Sequence, residues 1–86
     1  MATVTAVVRY FAAARAAAGT ETEKVQLVEG ATVDDLVDAL AAGHGPELAR
    51  VLERCSYLLD EVAVRDRSQT VADGATLDVL PPFAGG

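Results

Sequence analysis

The 86-residue chain predicts an α+β fold, a mixed sheet packed by helices on one face, on three observations. Apolar residues alternate with period two near both ends of the chain, the spacing of half-buried strands. In the middle they recur every three to four residues, the spacing of amphipathic helices. The length allows one hydrophobic core and excludes a second domain. At 51% hydrophobic and 23% charged residues the composition is that of a globular domain, and a chain this short buries about 60–65% of its unfolded surface, enough for a workable core without a disulfide or metal.

Thr3 to Tyr10 sets Val4, Ala6, Val8 and Tyr10 on one face and Thr3, Thr5, Val7 and Arg9 on the other, which predicts a first strand over residues 3–10. Phe11 to Ala18 is almost all alanine around Arg15 and ends at Gly19, the composition of a helix of one or two turns. Residues 21–28 alternate Glu21, Glu23, Val25 and Leu27 with Thr22, Lys24, Gln26 and Val28, a second strand that pairs with the first. Thr32 then caps a helix whose apolar stripe is Val33, Leu36, Val37 and Leu40, with Asp34 and Asp35 favoured by the positive helix start and Gly43 closing it. Gly45-Pro46 opens another helix with the stripe Leu48, Val51, Leu52 and Cys55. Tyr57-Leu58-Leu59 and Val62-Ala63-Val64 read as short strands about an Asp60-Glu61 turn, followed by a polar loop from Asp66 to Gln69. The last strand turns Leu77 and Val79 to one face and Thr76, Asp78 and Leu80 to the other, and Pro81-Pro82 stops it because proline donates no ladder hydrogen bond. This order matches the β-grasp topology. There the first and last strands lie side by side in the sheet centre, and the C-terminal residues project from the globule. Residues 1–82 are thus read as the domain and 83–86 as a flexible tail.

Thirteen acidic and seven basic residues give a net charge of −6, the wrong sign for nucleic acid and a suitable one for a basic protein surface. Four aromatic residues, two Tyr and two Phe with no Trp, are too few for a base-stacking platform. No apolar stretch is long enough for a membrane span, and Met1-Ala2-Thr3-Val4 lacks the basic start and apolar region of a signal peptide. One cysteine cannot form an internal disulfide, so a reducing cytoplasm is the expected location. One histidine with one cysteine falls short of a zinc ligand set, and no metal site is expected.

The usual catalytic constellations are missing. His44 in Gly43-His44-Gly45 reads as a solvated loop residue, and Cys55 as a buried structural thiol at the end of a helical stripe. Asp34, Asp35 and Asp38 read as surface carboxylates that complement the helix dipole. No glycine run forms a phosphate loop. The C-terminus is different: after the proline pair come Phe83, Ala84, Gly85 and Gly86. Two glycines have no Cβ to clash, so such an end can be threaded through a narrow channel and bent to present its carboxylate to another protein's active site.

Three stretches carry a family resemblance over essentially the whole chain: Tyr10-Phe11-Ala12-Ala13-Ala14-Arg15 with Gly19, Ala72-Asp73-Gly74, and Leu80-Pro81-Pro82-Phe83-Ala84-Gly85-Gly86. In them the sequence resembles the small-subunit family of molybdopterin synthase, β-grasp sulfur carriers of ubiquitin-like fold. The proline pair followed by Ala-Gly-Gly is the specific part. Phe83 departs from the family's usual small aliphatic residue, and Asp60-Glu61 occupies a hairpin that often carries Asn.

The resemblance implies a non-catalytic, sulfur-donating subunit that binds no cofactor of its own. A ubiquitin-activating-like adenylyltransferase would use ATP to adenylate the carboxylate of Gly86, and a sulfurtransferase or other persulfide donor would convert it to a thiocarboxylate, a 1-thioglycine. The large subunit, in a heterotetramer, would then receive the tail so that sulfur reaches the pyranopterin that becomes molybdopterin. Gly85 and Ala84 would keep the tail slim. Phe83, Pro81 and Pro82 would set its exit and anchor it. Leu80 belongs either to an exposed apolar docking patch or to a simple strand-edge hydrophobe. Arg15 matches a family position without an assigned role.

Other readings share the fold: a sulfur carrier for cysteine or thiamine synthesis, a ubiquitin-like protein modifier, or an interaction module with an inert tail. Lys24 is the only lysine, which gives chains built on the modifier itself a single branching site.

Overall fold

The apolar side of the first strand folds inward as predicted. β1 (Thr3–Tyr10) alternates strictly, burying Val4, Ala6, Val8 and Tyr10, and it pairs antiparallel with β2 (Thr22–Val28) from Thr3 opposite Val28 to Arg9 opposite Thr22. A computed structural model describes residues 2–82. It continues with α1 (Ala12–Ala18), α2 (Val33–His44), α3 (Pro46–Leu52), β3 (Ser56–Leu59), β4 (Val62–Ala63) and β5 (Thr76–Leu80). The sheet order is β2-β1-β5-β3-β4. β5 lies parallel to β1, with Val7 opposite Thr76 and Tyr10 opposite Val79, and antiparallel to β3. This is the β-grasp arrangement, the chain's two ends meeting in the sheet centre.

Helices cover one face only. Leu36, Leu40 and Val33 of α2 and Leu48 of α3 are fully buried with Val8, Leu77 and Val79 of the sheet. At about 25 cal/mol per Å² this apolar burial is the main favourable term holding so small a domain together. The start of α2 is a reciprocal capping box: the Asp35 amide donates to Thr32 Oγ1 at 3.1 Å and the Thr32 amide donates to Asp35 Oδ2 at 2.9 Å.

Several boundaries shift from the sequence reading. α2 runs through Gly43 to His44, and Gly45 ends it with φ 98, its amide donating to Ala41 O. A glycine inside a helix costs only about 1 kcal/mol, whereas the positive φ at Gly45 is one that side chains resist. α3 stops at Leu52, so Cys55 lies beyond the helix and is half-buried, its thiol donating to Val51 O at 3.2 Å. β2 begins at Thr22 and β4 ends at Ala63. The β3–β4 hairpin turns on Asp60 and Glu61, at φ 48 and 69, the positive values a two-residue turn of matching twist demands. Asp60 is held there by β5: its amide donates to Thr76 O, and the Thr76 amide donates back to Asp60 Oδ1, each at 2.9 Å.

Candidate functional site

The sheet places the end of β5 beside the end of β1. Val79 lies opposite Tyr10, its carbonyl accepts from the Phe11 amide at 3.2 Å, and Leu80 lies opposite Ser56 of β3. Pro81 and Pro82 follow and offer no N–H to continue a ladder. Of the residues singled out in the sequence, Leu80, Pro81 and Pro82 therefore come together at one end of the sheet. Phe83, Ala84, Gly85 and Gly86 lie outside the described residues.

Leu80 points to the sheet face that no helix covers. Val7, Leu58 and Leu80 are half-buried there and Ala63 is exposed. Phe11 stands at the rim, 40% exposed. A hydrophobic set left uncovered beside polar residues is the composition of a docking surface. At its centre sits a charge pair the sequence reading did not single out. Arg9 grips Asp78 through both carboxylate oxygens, Nε at 2.5 Å and the second nitrogen at 2.7 Å. Asp78 is 5% exposed, and a buried carboxylate is tolerated when it is paired and hydrogen-bonded. The hydrogen bond and charge of Asp78 raise the Arg9 pKa further. The Arg9 guanidinium also lies 6.0 Å from the centre of the Phe11 ring, within cation–π range. The signal was present in the sequence: one aspartate inside Leu77-Asp78-Val79-Leu80 requires a cation, and Arg9 is on the matching face of the adjacent strand.

A second cluster corrects the expectation for His44. Its imidazole is not a solvated loop group but is 21% exposed, with Nε2 2.5 Å from Glu23 Oε1. The Tyr10 hydroxyl donates to the same Glu23 oxygen, and the Tyr10 and His44 rings meet edge-on at 5.8 Å. Burial first, then the Glu23 hydrogen bond and charge, raise the Tyr10 pKa, so this phenol stays protonated. The reason is tertiary: the continuation of α2 through Gly43 to His44 carries the imidazole over the polar half of β2. Together the three side chains fasten the end of α2 to β1 and β2.

The remaining candidates are spread out. Arg15 makes an exposed ion pair with Glu21 at 3.1 Å, the kind worth little to stability. Burial pushes the Cys55 thiol up to about 11, which keeps it un-ionised and weakly nucleophilic at neutral pH. Among the described residues, no three His, Cys, Asp or Glu side chains converge as metal ligands, and no helix is long and apolar enough to cross a membrane.

Residues 8–86 match the model of the ThiS family. The chain is 34% identical over 80 residues to the molybdopterin synthase sulfur carrier subunit of Chlamydomonas reinhardtii, covering 92% of this chain and 95% of that one. Among solved structures it is similar to SAMP1 of Haloferax volcanii, with a TM-score of 0.84, 30% identity, and 95% and 99% of the two chains covered. A complex of subunits 1 and 2 of the molybdopterin-converting factor of Helicobacter pylori shares the fold, with a TM-score of 0.70 at 20% identity over 96% of this chain and 100% of that one.

Proposed function

The chain belongs to the ThiS family of ubiquitin-like β-grasp proteins, and from that premise we propose that it is the sulfur carrier subunit of a molybdopterin synthase. The observation that carries the reading is the end of β5. A central strand held on both sides runs out to Pro81-Pro82 at the end of the sheet, two residues that offer no N–H to extend a ladder. Gly86 is then the reacting residue. An adenylyltransferase joins its carboxylate to the AMP moiety of ATP with loss of pyrophosphate; the outer sulfur of a persulfide donor then attacks the acyl carbon as AMP leaves, giving an acyl disulfide, and a thiol reduces its S–S bond, forming a disulfide with the donor's sulfur and leaving the thiocarboxylate on Gly86. A carboxylate resists nucleophiles and its acyl adenylate does not, which is why activation must come first. The carrier contributes no catalytic group. Its large-subunit partner, in a heterotetramer, accepts the tail and delivers the sulfur to the pyranopterin, while Val7, Leu58, Leu80 and Phe11 offer the apolar surface against which a partner closes.

A second reading is favoured by one finding, the 30% identity with SAMP1, a small archaeal modifier protein. In it the activated Gly86 forms an isopeptide bond with a lysine of another protein. Intact mass measured after incubation with an activating enzyme, ATP and a persulfide donor separates the two. Exchange of one oxygen for sulfur at Gly86, absent from a chain lacking Gly86, is the outcome expected of a carrier. Adding the large subunit and a pyranopterin should then return the oxygen form. Heavier lysine-linked conjugates without sulfur exchange would move the protein to the modifier class. An unchanged mass with a competent enzyme would sink both.

A further inference from the structure

A cation and a carboxylate sit at the centre of the sheet face that no helix covers, and the fold does not require them there. Exchanging such a pair for apolar residues of similar size is often neutral for stability. Arg9 and Asp78 nonetheless interrupt an apolar set. Asp78 lies opposite Arg9 of β1 and Leu58 of β3, and the two are flanked along their own strands by Val7 and Leu80 on the same face. The partners are unequally spent. Asp78 gives both carboxylate oxygens to Arg9 and its side chain is only 7% exposed, so little of it is left to another protein. The Arg9 side chain is 43% exposed, and a guanidinium carries more N–H donors than one carboxylate can take. Asp78 uses one on Nε and one on Nη2, and the rest meet no acceptor among the described residues. With the Phe11 ring 6.0 Å away as well, the guanidinium is fixed before any partner arrives, which lowers the ordering cost of a contact.

The unspent donors define what can cover this face. Water satisfies them while the face is open, and a wholly apolar surface closing over them would leave them buried without a partner, at a cost. The docking protein therefore brings an acceptor to Arg9. A second carboxylate is a poor one. Asp78 already balances the Arg9 charge, the charge of Glu61 acts on Arg9 too, and the chain carries −6 overall, so a further negative charge would be buried without a counter-charge. An uncharged carbonyl oxygen meets the N–H groups without that cost.

We propose that Arg9 is the polar anchor and specificity determinant of the outer face, and that the protein docking there sets an uncharged carbonyl oxygen on its unspent N–H groups within an otherwise apolar surface. A partner with a cation or only apolar groups at that point is rejected. Naming the docking protein as the large subunit rests on the molybdopterin synthase reading; the chemistry that Arg9 demands does not.

The test is titration calorimetry of the full chain and of its Arg9→Met, Asp78→Leu double variant against the large subunit and against the activating enzyme. The double variant removes donors and carboxylate together, strands no buried charge, and should keep its Tm within about 5 °C. It should bind about tenfold more weakly or worse, the loss expected for a hydrogen bond to a charged group. Arg9→Lys keeps the charge without the planar fork and should also bind more weakly; if the double variant does not fold, unchanged affinity in Arg9→Lys overturns the proposal. A folded double variant that binds as tightly as the full chain, or more tightly, overturns it as well, because a purely apolar docking face gains from the exchange. A crystal structure of the complex should place a carbonyl oxygen within about 3.2 Å of an Arg9 nitrogen, and a carboxylate or water alone in that place would refute the uncharged acceptor. A dimer of the full chain that the double variant no longer forms would seat a second copy on this face, against the proposal. Binding to the activating enzyme alone, weakened in the double variant, refutes the molybdopterin synthase reading and keeps the anchor. Binding to the large subunit that is undiminished in the double variant refutes the anchor alone, and binding to neither protein sinks both.

Discussion

The two faces of β5 are built from alternate residues of one five-residue strand and have opposite duties. Leu77 and Val79 face the helices and are fully buried, whereas Thr76 and Leu80 face outward with the paired Asp78 between them. The inner face holds the domain together through close packing, and its residues have no freedom to serve anything else. The outer face adds less to the fold, yet it keeps Val7, Leu58 and Leu80 where polar residues would be better solvated. An apolar residue kept without a core to bury it points to a surface completed by a partner. One strand thus anchors the domain with one side and leaves an apolar side open with the other, and only its period of two separates them.

Substitutions can break that comparison, beginning with the largest. Leu77→Ala removes a fully buried side chain from the centre of the sheet and should lower unfolding free energy by about 2–5 kcal/mol in urea titration; a loss under 1 kcal/mol would mean the inner face is not the main support. Thr32→Ala removes half of the α2 capping box and should cost about 1 kcal/mol by the same measurement. Ala12, the first residue of α1, sits at φ 51, and Ala12→Gly should raise stability by about 1 kcal/mol by relieving the left-handed strain. Leu80→Ser should change stability by about 1 kcal/mol or less, yet weaken binding to the large subunit by about tenfold or more in calorimetry; unchanged binding would remove the outer face from the docking surface. The last effect leaves stability untouched and concerns reactivity alone. With its pKa at about 11, the Cys55 thiolate fraction at pH 8 is about one hundredth of that of an unperturbed thiol, and alkylation should be slower by about that factor than in urea-unfolded protein. Ionisation grows as pH rises through about 11, and alkylation of the folded protein should accelerate there.

Much of the fold was legible because its signals are local. The period-two spacing of Val4, Ala6 and Val8 and the Thr32 cap depend on a few consecutive residues and were read correctly, whereas Asp35 was read as a surface carboxylate and closes a capping box with Thr32. The docking end was half legible. Leu80, Pro81 and Pro82 stood out, while Arg9, Asp78, Glu23 and His44 did not, because their partners lie 69 and 21 residues apart in the chain. His44 was read as a loop residue since Gly43 looked like a helix stop. The helix carried on because continuing through Gly43 to His44 let the imidazole meet Glu23 and left the terminating positive φ to Gly45.

What the sequence by itself determined, then, is the set of elements and their order, since propensity and periodicity act within a few residues. The tertiary structure alone decided which face of the sheet is left open, that the one aspartate of β5 is neutralised by Arg9 and that His44 meets Glu23. Each of these depends on a register or a crossing between distant segments, and the free energy that selects it is the burial of a shared core, a property of the whole chain at once.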